Sequence, residues 1–105
     1  MATYLFEARY TAEGAKGLLH EGGSGRRAAV EAMLRGLGGE LRDFYYAFGD
    51  VDAYVIAELP DNVSAAAVAL AVNHAGGATV KTVVLMAPDE VDQAAKKSVP
   101  YRPPA

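Results

Sequence analysis

Ionisable side chains occupy alternate positions in two segments whose composition predicts β-strands. The first segment carries Glu7 and Arg9, and the second carries Tyr54 and Glu58. Because successive side chains of a strand point to opposite faces of a sheet, each pair lies on one face. Carboxylates, a guanidinium and a phenol in a half-apolar cavity suit proton transfer on a small organic molecule. The alternative is a network of cross-strand ion pairs that holds the sheet or a dimer together.

An aromatic run supplies a further candidate for ligand binding. Alternation places Phe44, Tyr46 and Phe48 on one face of a predicted strand and Tyr45 on the other. Aromatic side chains on both faces are typical of a strand that is covered on both sides. We expect Tyr46 to line the same ligand site as the four ionisable residues above, with core packing as the alternative.

The two histidines are the remaining candidates for acid–base chemistry. His74 lies near the end of a predicted helix, and imidazole has the side-chain pKa best suited to a general base at neutral pH. The candidate catalytic residues are therefore Glu58, Tyr54 and His74, although an exposed helix end is an ordinary place for a histidine. His20 is predicted to lie on the surface. Two histidines so far apart do not form a metal site.

A glycine-rich segment with two arginines could hold an anion. Residues 22–27 read GGSGRR, and Ser24 is predicted to cap a helix that begins there. Free amides at a helix start, together with Arg26 and Arg27, are donors for carboxylate or phosphate. The segment is neither a P-loop nor a dinucleotide fingerprint. A flexible loop with a serine cap and two solvated arginines is the alternative.

Composition excludes several classes of function. The chain has 105 residues, no cysteine and a net charge of −3, from 10 basic and 13 acidic residues. Without cysteine there is no thiolate nucleophile, zinc–thiolate site or iron–sulfur cluster. The charge balance argues against nucleic-acid binding. No uncharged stretch is apolar enough to cross a membrane. We expect a cytoplasmic protein with no cofactor and no metal.

The order of predicted elements is β-α-β-β-α-β. This order is the split-βαβ arrangement, an α+β ferredoxin-like fold in which a four-stranded antiparallel sheet carries two helices on one face. We expect one domain over residues 1–97 and a proline-rich tail over 98–105, which is either free or lies across a partner subunit. The predicted strands are residues 3–10, 40–48, 52–59 and 78–87, and the predicted helices are 24–37 and about 62–74, with shorter helical turns at 15–21 and 88–96.

Two features point to self-association. The sheet face opposite the helices carries Leu5, Tyr54 and Ile56, which need a cover, and a second copy of the same sheet is the simplest one. The segment 65–72 is apolar on every side, as in helices buried all round. The alternative for that segment is an ordinary surface helix that is rich in alanine. Because 51% of the residues are hydrophobic, one small domain would struggle to bury them all.

Five segments in the same order along the chain carry a family resemblance. The chain resembles the GYD domain family, within the dimeric α+β barrel superfamily. The segments are TYLFEARYTAEGAKGL at 3–18, EGGSGRRAAVEAMLRGLGGEL at 21–41, FYYAFGDVD at 44–52, LPDNVSAAAVALAV at 59–72 and PDEVDQAAKKSVPYRPP at 88–104. Of the family's Gly–Tyr–Asp signature, Gly49 and Asp52 match, whereas Val51 stands where the tyrosine is expected. No role that needs that phenol is carried over.

The resemblance implies a ferredoxin-like fold and a dimer with its sheets packed face to face. The superfamily includes cofactor-independent monooxygenases, cyclases, isomerases and regulatory ligand binders, so the fold does not settle the function. We expect a homodimer that binds a small organic molecule, and two alternatives stay open. One is a cofactor-independent enzyme of the proton-transfer, cyclase or monooxygenase type. The other is a non-catalytic ligand-binding, regulatory or assembly module.

Overall fold

The computed structural model describes all 105 residues and consists of four strands and four helices. The strands form one antiparallel sheet in the order β2-β3-β1-β4, with β1 and β3 in the centre. The predicted α+β, ferredoxin-like fold is confirmed. The elements are β1 (Ala2–Tyr10), α1 (Ala12–Glu21), α2 (Gly23–Gly36), β2 (Glu40–Tyr46), β3 (Ala53–Leu59), α3 (Asn62–Ala75), β4 (Ala78–Leu85) and α4 (Pro88–Ala95).

The sheet has one face covered by helices and one open face. On the covered face, Tyr4, Phe6, Val55, Ala57 and Leu59 form a core with Leu34 of α2 and with Ala65 and Val68 of α3. Residues of β3 alternate between buried and more exposed positions, as the period of two requires. In α3 only one stripe is buried, since Leu70 on another side is 71% exposed. The apolar remainder of α3 is thus uncovered within one chain.

Side-chain caps set where two of the helices begin. Asp61 caps α3, because its Oδ1 accepts a hydrogen bond from the backbone N–H of Ser64 at 2.9 Å. Hydrogen bonds from the backbone and the side chain of Ser64 lower the pKa of the Asp61 carboxyl. Thr11 caps α1 by accepting from the N–H of Gly14. The first connection is therefore a complete ten-residue helix rather than the short turns that we predicted.

Two local predictions were wrong. Ser24 does not cap α2, because α1 continues to Glu21 and the chain turns sharply at Gly22, whose φ is +85°. Gly22 takes the N-cap position without a side-chain hydrogen bond, and Ser24 falls inside the first turn. Likewise β2 ends at Tyr46, so Phe48 lies in the following turn and is fully exposed. Only Phe44 and Tyr46 of the three predicted aromatic residues face the helices.

The start of helix α1 contacts the two glycines before β4 through backbone groups and the Thr11 hydroxyl. The N–H of Thr11 donates to the carbonyl of Gly77 at 3.1 Å, and its hydroxyl donates to the carbonyl of Gly76 at 2.8 Å. A Cβ on Gly14 would lie 1.7 Å from the Gly77 oxygen. Any side chain at that position would force the helix away from the strand.

No helix of the chain combines the length and the apolar character that crossing a membrane requires.

This contact gives a stability prediction. The change Gly14→Ala should lower the free energy of unfolding by about 1–3 kcal/mol, since the methyl group overpacks a backbone contact. The control is Gly17→Ala in the same helix, where a Cβ meets nothing within 4 Å. It should stabilise by about 0.5–1 kcal/mol through helix propensity. Thermal unfolding followed by circular dichroism measures both. An unchanged melting temperature for Gly14→Ala would contradict the close approach.

Candidate functional site

A cavity of about 350 Å³ lies between the covered face of the sheet and helices α1, α2 and α3. Its volume falls in the range of sites for small organic molecules. The space exists because small residues oppose one another across the two layers. Ala8 and Ala53 are register partners in the sheet floor, while Gly14, Gly17 and Ala29 lie above them in the helices. Side chains of this size cannot fill the gap between a sheet and its helices.

Three polar side chains line this otherwise apolar cavity, namely Tyr10, Glu21 and Arg26. Tyr10 ends β1, Glu21 ends α1, and Arg26 lies in the first turn of α2. The sharp turn at Gly22 brings the two charged residues together, with 3.2 Å between Nε of Arg26 and Oε1 of Glu21. The Nε–H of Arg26 is nevertheless buried without a well-aligned hydrogen-bond acceptor. One end of the cavity therefore holds an incompletely satisfied donor.

The phenol of Tyr10 stays protonated at neutral pH. Burial, which disfavours the phenolate, raises its pKa to about 12, and the neighbouring Tyr46 acts in the same direction. The positive charge of Arg26 opposes the shift without cancelling it. Burial also raises the pKa of Tyr46, whose hydroxyl donates to the carbonyl of Gly23 at 2.9 Å. At neutral pH Tyr10 thus acts as a hydrogen-bond donor, and it is neither a good general acid nor a good general base.

The signature residue Asp52 holds Tyr10 in place. Its Oδ2 accepts a hydrogen bond from the backbone N–H of Tyr10 at 2.8 Å, and its own N–H donates to the carbonyl of Ala8 at 2.9 Å. Val51, at the expected tyrosine position, is buried. Gly49 lies in the exposed turn between β2 and β3. In this chain the signature thus joins that turn to the end of β1 beside the cavity.

The ionisable residues predicted from alternation lie on the open face of the sheet, away from the cavity. Glu7 and Tyr54 are register partners on neighbouring strands, so the structure brings these two together. Glu58 is paired instead with Arg42 of β2. Arg9 is the register partner of Thr79 on β4. None of these four residues lines the cavity.

The other predicted site residues are dispersed. His74 is exposed in the last turn of α3, and His20 is exposed in the last turn of α1. Arg27 forms a surface ion pair with Glu31, whereas its neighbour Arg26 faces the cavity. Consecutive residues of a helix point about 100° apart, and here the two arginines pair with different carboxylates, Glu21 and Glu31. Ser24 is exposed in the first turn of α2. No three His, Asp or Glu side chains are grouped as metal ligands.

Sequence reasoning missed Tyr10 and Glu21 as site residues. Tyr10 belongs to the covered face of β1, where its phenol is the only polar group beyond Ala8. Alternation along β1 could have placed this phenol on the helix side of the sheet. Glu21 gave no signal, since its place depends on the full length of α1. Tyr46 was the one predicted ligand-binding residue on the cavity side, where its hydroxyl lies beside that of Tyr10.

The raised pKa of Tyr10 can be measured directly. In a spectrophotometric titration of the six tyrosines, Tyr10→Phe should remove a late step near pH 12. The unfolded chain releases this proton near pH 10, before the folded chain does, so the free energy of unfolding should fall as pH rises from 10 to 12. The variant should show a smaller fall. Tyr45→Phe on the open face is the control, and loss of the late step there would refute the assignment.

Comparison with known families now places the chain. The model of the GYD domain family matches residues 4–95, which is most of the sequence. The match covers all four helices and all of the strands except the first two residues of β1. No curated protein and no solved structure gave a significant match. The confirmed resemblance and the ferredoxin-like architecture agree, and this chain belongs to the GYD domain family.

Proposed function

We propose that the chain acts as a homodimer that binds a small, largely apolar organic molecule between its sheet and its helices. The observation that carries this proposal is the 350 Å³ cavity with all its polar side chains at one end. Sites for small molecules are usually apolar clefts with a few polar groups that fix the orientation of the ligand. The proposed site differs from the one that alternation suggested, since it uses the opposite face of the sheet.

The cavity also suggests what the ligand carries. An apolar body would fill the space over Ala8, Ala53 and Val55, which have no polar side-chain atoms. At the polar end, Arg26 and Tyr10 offer N–H and O–H donors to an oxygen acceptor. Because Glu21 already balances the charge of Arg26, a neutral acceptor such as a carbonyl suits the site without leaving a charge unpaired.

Catalysis without a cofactor is the second candidate function. Tyr10 stays protonated and Glu21 carries a carboxylate, so one wall of the cavity contains a hydrogen-bond donor for a developing oxyanion and a potential base. Such a pair could move a proton between two positions of a bound carbonyl compound. The Glu21 carboxylate is already paired with Arg26 before any ligand arrives, which favours simple binding over turnover.

The surface area of the chain supports self-association. A compact monomer of 11.0 kDa exposes about 5,600 Å², whereas this chain exposes 7324 Å². The excess exceeds the roughly 800 Å² that each partner buries in an interface of standard size. Several large apolar side chains lie on the open face, where the period of two directs them away from the helices. They include Leu5, Tyr45, Tyr54, Ile56 and Val83.

Occupancy of the cavity can be tested without knowing the ligand. Protein recovered gently from its own host should carry a small-molecule mass in native mass spectrometry. The change Ala8→Leu should abolish that mass, because the larger side chain fills the cavity floor. The control is Ala71→Leu on an exposed side of α3, which should keep it. A wild-type protein without adduct, or an adduct that survives Ala8→Leu, would contradict the proposed site.

Turnover is a separate measurement on the same ligand. If the chain is an enzyme, incubation of the recovered molecule with fresh protein should yield a product, and Tyr10→Phe should slow its formation about 100-fold or more. If the chain only binds, the molecule should be returned unchanged by the wild type. Binding by Tyr10→Phe, measured in parallel, separates a loss of chemistry from a loss of affinity.

Dimer formation is tested by light scattering at micromolar concentration. The wild type should have twice the 11.0 kDa mass of one chain. Ile56→Glu should give monomers, because it adds a charge to the centre of the open face. Leu19→Glu on an exposed side of α1 is the matched control and should stay dimeric. An 11.0 kDa species for the wild type would rule out the dimer.

A further inference from the structure

The last 20 residues form an arm that has no partner within the chain. This C-terminal arm, residues 86–105, comprises α4 and the proline-rich tail, and every one of its residues is exposed. α4 has no extensive contact with another helix or strand. The radius of gyration is 16.6 Å, against about 13 Å for a compact chain of this length. The longest dimension of 54 Å reflects the same extension.

The arm nevertheless has defined local structure. Pro88 begins α4, and the Glu90 carboxylate accepts a hydrogen bond from the N–H of Ala87 at 2.8 Å. Val91, Ala94 and Ala95 follow the spacing of one helical face. A helix of eight residues is marginal in water by itself. An apolar stripe on such a helix indicates that it packs against a surface outside its own chain.

Charge separates the arm into two parts. The acidic residues lie in α4, whereas the segment after it carries Lys96, Lys97 and Arg102 and no acidic side chain. The β2 edge of the sheet has the opposite character. Glu40 and Asp43 lie there, and the nearby Arg42 is already paired with Glu58 of β3. The basic segment and this acidic edge are therefore complementary.

Aromatic side chains accompany the acidic edge. Tyr45 is 66% exposed and Phe48 is fully exposed at the end of β2. In the arm, Val99 and Tyr101 are more than two-thirds exposed. Exposed aromatic groups beside complementary charges are typical of contact surfaces between proteins. The arm leaves the sheet from β4, however, at the edge opposite β2.

A dimer with two-fold symmetry can bring the arm of one chain next to the β2 edge of the other. When two sheets stack face to face about a two-fold axis along the strands, β4 of each chain lies against β2 of the other. The arm then leaves its own sheet next to the acidic, aromatic edge of the second copy. Docking on its own β2 would instead require crossing the sheet, a span of about 15 Å at normal strand spacing, through the face that the dimer covers.

We propose that the C-terminal arm of each protomer docks along the β2 edge of a second copy of this chain. Its basic residues pair with the carboxylates of that edge, and Tyr101 packs beside the exposed aromatic groups. This inference rests on the proposed homodimer, taken with its two-fold axis along the strands, and adds the segment that clasps it. The 20 residues of the arm supply part of the surface by which the chain exceeds a compact monomer.

Isotope-mixed cross-linking tests the docking. Equal amounts of unlabelled and nitrogen-15-labelled protein are unfolded together, refolded and treated with a carbodiimide, which joins lysines to carboxylates in contact. We expect peptides that link Lys96 or Lys97 to Glu40 or Asp43, with about half of them joining a light to a heavy segment. Links confined to one isotope would place the arm on its own chain and overturn the proposal, as would the absence of these links.

Truncation tests the energetic consequence. Removal of residues 98–105 together with Lys96→Glu and Lys97→Glu should raise the dimer dissociation constant about tenfold or more in sedimentation analysis. Adding Glu40→Lys and Asp43→Lys to the two lysine changes in the full-length chain should restore much of the loss. Lys16→Glu, on the exposed part of α1, is the charge control. A monomeric wild type refutes the homodimer itself, whereas a dimer unaffected by truncation refutes only the docking of the arm.

Discussion

The backbone contact between the start of α1 and the start of β4 determines the geometry of the candidate site. Thr11 bonds to both Gly76 and Gly77, and Gly14 lies against the Gly77 carbonyl with no room for a side chain. With its first turn held there, a ten-residue helix must end about 15 Å further on. The turn at Gly22 and the first turn of α2 follow from that end point. Glu21 and Arg26 consequently meet Tyr10 at one end of the cavity.

The two faces of the sheet carry different kinds of side chain. Its covered face, with small residues at the centre of the floor, encloses the cavity and the three polar side chains. Its open face carries paired charges such as Glu58 with Arg42 among apolar groups that a second sheet can cover. The proposed dimer contact and the proposed ligand site therefore use different residues. Asp52 lies beside the turn between β2 and β3, and its carboxylate also holds the backbone of Tyr10.

Local patterns predicted most of the fold. Alternation along β1 and β3 assigned their covered faces, and the helix predicted from about residue 62 is α3. The errors arose where neighbouring elements compete for the same residues. Ser24 is a good cap, but α1 runs too far for a new helix to begin there. Phe48 has strand propensity, yet the chain needs the residues after Tyr46 to turn towards β3.

The candidate site was less accessible to the same reasoning, which looked for ionisable groups on one face. Arg26 was a candidate because Arg27 and a helix start lie beside it in the sequence. In the structure Arg26 pairs with Glu21 instead, and Arg27 pairs with Glu31. A cavity forms where small side chains leave space unfilled, and alanines such as Ala8 and Ala53 do not stand out in a sequence. Their effect appears only when they oppose glycines of another layer.

The sequence by itself determined the period of the strands, the starts of α3 and α4 and the family, because these depend on neighbours within a few residues. It also determined that no thiol chemistry is available. Tertiary structure alone decided which face encloses space and which polar groups share it. Those outcomes depend on contacts such as Thr11 with Gly76 and Tyr10 with Asp52, between residues more than 40 positions apart. Only the packing of helices on a sheet brings such residues together.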